Sequence, residues 1–310
     1  MDDVVEAAGG DGAVALPALD VPTLSRRSGS GDVVRRALAL STSRLIIHDP
    51  VVRRGEDVEG VHQARVATRR LRSDLRTFAP LIDAAWSQQL RTELAALAAE
   101  LGAVRDADVL LARLRADAQQ LAEADRPHLA RIFDQLEARR TSARRTLLAT
   151  MSSPGYATLL DDLVDATQHP MLTETARRAA RHELRRVAAR PWKRLARTVA
   201  ALPDEPTDAD LHQVRIMAKR ARYAAEAVVP VLSAASPMAR ALAAVQTVLG
   251  EHHDAVVAEQ WLRSTTTRSR QEAFAVGALA GVQRAAAIAA RARWRTAWAA
   301  AARPRLRAWM

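Results

Sequence analysis

One twelve-residue pattern occurs twice in this chain, 150 residues apart, and each copy reads as a helix with two unlike sides. Val61-His62-Gln63-Ala64-Arg65-Val66-Ala67-Thr68-Arg69-Arg70-Leu71-Arg72 returns as Leu211-His212-Gln213-Val214-Arg215-Ile216-Met217-Ala218-Lys219-Arg220-Ala221-Arg222. At roughly 100° per residue, His62, Arg65, Arg69, Arg72 and Arg76 fall within an arc of about 80°. Ala64, Ala67, Leu71, Leu75 and Phe78 gather on the other side. The helix thus turns a cationic rail outward and an apolar rail to a core. The second copy repeats the rail with His212, Arg215, Lys219 and Arg222. Like charges one turn apart repel and weaken a helix slightly. A chain that accepts this twice points to a polyanionic ligand.

The repeat is longer than the rail. Pro80 and Pro230 keep the 150-residue offset, while Leu101-Gly102 and Leu249-Gly250 follow at 148, each with an aspartate four residues on (Asp106, Asp254). Shared marks in the same order indicate a duplicated helical unit. Hydrophobic residues make up 49%, enough for a core, but aromatics only 4%; alanine, leucine and arginine, all strong helix formers, dominate. The expected fold is all-α: two similar antiparallel helical bundles related by a pseudo-twofold, with both rails on a shared basic groove or pore. The expected organisation is a disordered leader over 1–30, a first bundle over 31–168, and a second over 171–310 with a basic tail. Helices are expected over 32–47, from 57 to Pro80, near 83–101 and 104–122, from Pro127 to 150, up to 167, from 173 to 201 with a kink at Pro191, up to Pro230, and near 237–249, 252–264 and 268–300.

Net charge is +11 and uneven: residues 1–30 carry −3, so the rest carries +14. Such an excess draws nucleic acid, an anionic membrane surface or a phosphate polymer. The absence of cysteine excludes thiolate chemistry and disulfides. No basic and apolar export signal opens the chain, and Gln283 and Arg284 interrupt its most apolar window, 273–290. A cytoplasmic protein without a membrane span is expected.

The paired His-x-x-Arg-x-x-x-(Arg/Lys)-x-x-Arg helices resemble the two signature helices of the CHAD domain, the conserved histidine α-helical domain. The Leu-Gly-x-x-Arg-Asp-x-Asp run at Leu101–Asp108, the Ser-Pro-Gly-Tyr turn at 153–156 and the Arg-x-Trp-Lys-Arg segment at 190–194 are similar to it as well. The likeness covers roughly residues 31–300. It implies two basic helices lining a concave or pore-like surface, binding of inorganic polyphosphate, and association with polyphosphate granules and their proteins. The second copy departs at Ala221 (for Leu71), at Glu226 (for Arg76) and at His252-His253.

Arginine suits phosphate oxygens because its planar fork donates paired hydrogen bonds and stays charged. Arg65, Arg69, Arg72 and Arg76 span about 16 Å, enough for several successive phosphates. The expected binding residues are therefore His62, Arg65, Arg69, Arg70, Arg72 and Arg76 with His212, Arg215, Lys219, Arg220 and Arg222. Arg70 and Arg220, about 80–90° off the rail, either pair with acids or widen the strip; the second reading is preferred. Arg139, Arg140 and Arg144, with Lys193 and Arg194, are secondary candidates. Asp106, Asp108 and Asp254 are expected at helix starts, capping or pairing with rail arginines.

No catalytic residue, metal or cofactor is expected. There is no Walker loop, HExxH or G-x-S-x-G, and adjacent His252 and His253 point about 100° apart on a helix. Nucleic acid is the alternative ligand, with Trp294, Trp298 and Trp309 of the basic tail as candidate stacking platforms.

Overall fold

The computed structural model describes residues 19–25, 27–55 and 57–310, and among these no β-strand forms. Among the described residues nine α-helices follow one another: α1 (Ser30–Arg54), α2 (Val58–Thr77), α3 (Ala84–Ala118), α4 (Ala130–Met151), α5 (Pro154–Gln168), α6 (Ala180–Ala200), α7 (Asp208–Val228), α8 (Ser236–Ser264) and α9 (Arg270–Ala301). The all-α expectation holds. Of the leader, residues 1–18 and 26 lie outside the described residues; Leu24 packs against the core, and the Pro22 carbonyl accepts from Arg36 Nη1 at 2.8 Å.

The rail helices start and stop where their sequences say. Asp57 caps α2 by accepting from the Glu59 amide at 2.8 Å, and Thr207 with Asp210 forms a capping box on α7. Both helices end two residues short of their prolines or nearer, at Thr77 and Val228. Their apolar sides are buried as expected, with Ala67 and Leu71 fully inaccessible. From Val61 to Phe78 and from Leu211 to Val228 the same relative positions are buried in both copies, Gln63 and Gln213 alone differing in degree.

Several boundaries differ from expectation. α1 runs through Pro50 to Arg54 rather than ending before Asp49, and stops at Gly55, whose φ of 74° is the left-handed cap that glycine accepts. Contacts outside the helix offset the hydrogen bond that Pro50 lacks. Asp49 accepts from the Tyr156 hydroxyl at 2.6 Å, Arg53 donates to the Met151 carbonyl at 2.7 Å, and Val52 is fully buried. The pairs expected at 83–101 with 104–122, and at 237–249 with 252–264, are the single long helices α3 and α8, with Gly102 and Gly250 in their interiors. Pro127 lies in a 3-10 turn (Glu123–Leu129) ahead of α4, and a second such turn (Glu174–Arg177) precedes α6.

α2 packs between α1 and α3, α7 between α6 and α8, and α2 and α7 touch. One large core gathers side chains from α1 through α9, including Leu71, Leu94, Leu195 and Leu242. A second, smaller core lies at the far ends of the α3–α4 and α8–α9 hairpins, built from residues such as Leu114, Ile132, Leu262 and Leu279. Polar ties reinforce this second junction. Arg113 Nε donates to Gln283 Oε1 at 2.5 Å, and Gln283 Nε2 donates to Asp117 at 2.8 Å.

α9 is long and apolar enough, by length and composition, to cross a membrane. In the fold it runs along α8, with Leu279, Gln283, Ala290 and Trp294 buried.

Candidate functional site

The contact between α2 and α7 brings the two rails together. Burial lowers the pKa of Arg65; Asp106 opposes that, while Arg69, Arg105 and Arg215 reinforce it. Lys219 is brought down to about 8, first by burial and then by Arg69, Arg215 and Arg65. Lowered pKa values in both rails have one physical meaning. Cations stand close together, partly out of water, with too few carboxylates to balance them. The Nε atoms of Arg69, Arg72 and Arg215 are buried without a hydrogen-bond partner.

Each rail begins at a histidine, and α3 or α8 supplies its neighbour. His62 is lowered by burial and by Arg105 of α3. The corresponding His212 meets His253 of α8, Nδ1 to Nδ1 at 3.1 Å with ring centroids 4.2 Å apart. Burial, then His212 and Arg215, bring His253 down to about 4. His253 thus stands in the second copy where the first has the permanent cation Arg105. His252 turns away to the α7 start, where Nε2 lies 3.2 Å from Asp208.

The two interior glycines have a local reason. A Cβ on Gly102 would sit 2.3 Å from Nη1 of Arg65, so its absence lets that guanidinium lie across α3 and reach Asp106 at 3.1 Å. At Gly250 the same atom would be 3.7 Å from Arg215 Nε, an ordinary contact. Alanine in place of a mid-helix glycine gains up to about 1 kcal/mol in helix preference. Gly250→Ala should therefore raise the unfolding midpoint, whereas Gly102→Ala should gain little and displace Arg65. Thermal melts and arginine side-chain NMR read the two effects.

Asp106, Asp108 and Asp254 lie inside long helices rather than at helix starts, so they do not cap. Asp106 holds Arg65, while Asp108 holds Arg140 at 3.0 Å. Asp254 is raised by burial, with Arg215 and Arg113 acting against that.

Some expected site residues are engaged elsewhere. Arg70 is ion-paired to Glu226 and, at 3.5 Å, to buried Asp74; Arg222 meets the same Glu226 at 2.6 Å and Gln246 at 3.2 Å. These two arginines are therefore neutralised beside the Tyr223 ring, which Arg69 also overlies. Burial pushes Asp74 up to about 7 despite Arg70. Arg140 is committed to Asp108, and Arg144 donates to the carbonyls of Val52 and Arg53, closing the α1 end. Arg139 is exposed on α4.

Arg76 and Arg220 lie side by side. They line a cavity of about 430 Å³ with Lys193 and Arg194, and with Arg190 and Arg197, which sequence reasoning had not singled out. Arg91 and Arg105 of α3 were also missed. Arg105 had a signal in the Leu-Gly-x-x-Arg-Asp run; Arg91 had none, because nothing in its own helix marks the face that approaches Arg76.

The tail offers less than its composition suggests. Arg291 pairs with Asp208 at 3.2 Å and Arg293 with Glu251 at 2.5 Å, while Arg295 donates to the Asp204 carbonyl at 2.6 Å. Trp294 and Trp309 are buried, and Trp298 stacks on Trp192 with centroids 5.5 Å apart. None of the three presents a free face for a base. Among the described residues, no three of His, Asp and Glu gather to hold a metal ion.

Fold and site define an all-helical protein in which two like helices bring a concentration of cations to one place. The CHAD domain family model matches residues 36–263, and the chain belongs to that family. Its fold is similar to PptA from Streptomyces chartreusis, with 28% identity, a TM-score of 0.75, and coverage of 88% of this chain and all of that one. The crystal structure of the CHAD domain from the plant Ricinus communis matches at 26% identity and a TM-score of 0.71, over 94% of this chain and 97% of that one. Two uncharacterized proteins of Mycobacterium tuberculosis, MT2285 (strain CDC 1551 / Oshkosh) and Rv2226 (strain ATCC 25618 / H37Rv), are each 33% identical over 248 residues, 74% of this chain. The chain spans 45% of the length of these relatives. The CHAD family is associated with polyphosphate.

Proposed function

We propose that this protein binds inorganic polyphosphate along the joined rails, as a binding module rather than an enzyme. The observation that carries this reading is the set His62, Arg65, Arg69, Arg72, His212, Arg215 and Lys219, crowded between α2 and α7: burial and neighbouring cations lower His62, Arg65, His212 and Lys219, and Arg69, Arg72 and Arg215 bury Nε atoms without a hydrogen-bond partner. Holding such charges together without a counterion costs stability, and a ligand with one negative charge per phosphate removes the cost. The family's association with polyphosphate supports the same reading. Nucleic acid is the weaker alternative, because the tail tryptophans that would stack bases are buried or stacked on protein.

Binding by several cations in a row predicts a strong dependence on chain length. Long-chain polyphosphate titrated calorimetrically should bind far more tightly than pyrophosphate at equal phosphate concentration, with affinity falling as salt rises. No phosphate should be released with or without Mg²⁺. Equal affinity for pyrophosphate, or hydrolysis of the chain, would overturn the reading. In cells, a tagged full chain is expected in the cytoplasm at polyphosphate granules, with granule proteins as neighbours; diffuse signal among abundant granules contradicts that.

The pH dependence has a definite sign. Lys219 at about 8 and His253 at about 4 are both lower than usual in the free protein, and a bound polyanion raises both. The complex then holds more protons than the free protein, so affinity must fall as pH rises. Between pH 7 and 9 the Lys219 contribution amounts to about a tenfold loss. Below pH 6 affinity should climb further, and His253→Gln should flatten that acid limb. Titrations at constant ionic strength check both arms.

A further inference from the structure

The cavity at the α2 C-terminal end and its counterpart in the other half of the repeat have diverged. In the counterpart, Arg70 and Glu226 stand where the cavity has Arg220 and Arg76, each 150 residues away. That second hollow is small, about 80 Å³, and its charges are spent: Arg70 lies on Glu226 and Asp74, and Arg36 on the Pro22 carbonyl. Leu24 and Leu40 line it as well. The cavity itself measures about 430 Å³ and is lined by Arg76, Arg190, Lys193, Arg194, Arg197 and Arg220, with no carboxylate among the lining residues. A volume in this range suits a small molecule. Among the described residues no acid pairs with its cations, and the hydrogen bond found for the Arg220 guanidinium is to the Met217 sulfur at 3.9 Å.

Apart from Ser73 and Thr77, the remaining wall is apolar, with Pro80, Val187, Pro191 and Met217. Phosphate oxygens brought against such a surface lose water and gain nothing, so a bare phosphate chain uses only half of this cavity. A planar apolar ring fits the other half.

We propose that the cavity is a second anion site, at the end of the first rail and sharing Arg76 with it, that takes a compact ligand carrying two or three phosphates on an apolar ring, of the nucleoside triphosphate class. It does not depend on what the rails bind. The test is calorimetry on the full chain with ATP, tripolyphosphate and adenosine, without divalent metal, on the native protein and on Arg190→Gln/Arg197→Gln. Both residues are exposed, so the fold should survive. ATP should bind one to one and at least tenfold more tightly than tripolyphosphate, with adenosine alone undetected. The double variant should lose at least tenfold in ATP affinity and less than threefold for long-chain polyphosphate. Equal binding of tripolyphosphate and ATP, or unchanged ATP binding in the variant, would overturn the proposal while leaving the polyphosphate reading intact. If ATP binds as expected and long-chain polyphosphate does not bind at all, the rail reading fails and the cavity stands.

Discussion

Replacing Arg65, Arg69, Arg215 and Lys219 together by glutamine should weaken binding of long-chain polyphosphate at least about a thousandfold. Hydrogen bonds to charged groups contribute about 1.5–3 kcal/mol each, and four of them are removed from one continuous surface. The same variant should melt no lower than the native chain, and by the physics of the free site it should melt higher. Arg69 and Arg215 each bury an unpartnered Nε, and Lys219 is held at about 8 by burial and its cationic neighbours. Removing charges that repel one another stabilises the fold that carried them, the usual relation between a functional site and stability. Fluorescence titration and differential scanning calorimetry read the two outcomes. A variant that loses affinity only because it unfolds would show a lowered midpoint.

Leu71→Ala is expected to do the reverse. Leu71 is fully buried on the opposite side of α2 from the rail. Truncating such a leucine removes its transfer free energy and leaves a cavity, at a cost of about 3 kcal/mol. Urea unfolding should show that loss, while the folded fraction keeps polyphosphate affinity within about twofold. The second copy has Ala221 at this position, equally buried, with neighbours already closed around the smaller side chain. Alanine at 71 has no such accommodation. Together the two variants separate the cationic side of the helix from the apolar one.

How much of this was legible in the sequence depended on how local the cause was. The two-sided rail helices, the start of the first near Asp57, and their ends before Pro80 and Pro230 follow from spacing and local backbone chemistry. Gly102 and Gly250 looked like helix ends because glycine weakens a helix. Gly102 instead makes room for Arg65 of α2, a reason that no window of sequence contains, whereas Gly250 lies inside α8 in ordinary contact with Arg215. Pro50 misled in the same way: Tyr156, more than a hundred residues on, is among the contacts that hold α1 together past it. The fate of the off-rail arginines was equally non-local. Glu226 was visible as a departure from the first copy, but that it would neutralise Arg70 across the α2–α7 contact depends on the fold. The basic composition of the tail did not show that Arg291 and Arg293 meet Asp208 and Glu251, acids that lie far off in the sequence.

The substitution of Glu226 for an arginine, and of His253 for the cation that Arg105 provides in the other half, makes the two copies chemically unequal. One half keeps a permanently charged rail and, at its end, an open cationic cavity shared with α6. The other keeps Arg215 but has a histidine, His253, and a lysine, Lys219, held below their usual pKa by burial and neighbouring cations, groups whose protonation a polyanion would change.

The central claim is that the joined rails prefer a phosphate polymer over other polyanions. One competition experiment tests it most directly: a labelled long-chain polyphosphate displaced, at fixed salt and pH 7, by unlabelled polyphosphate, pyrophosphate, RNA and duplex DNA compared at equal phosphate concentration. Long-chain polyphosphate should displace the label at the lowest concentration, RNA and DNA should require much more, and pyrophosphate should compete poorly. Displacement by RNA or DNA at lower phosphate concentration than polyphosphate would contradict the account.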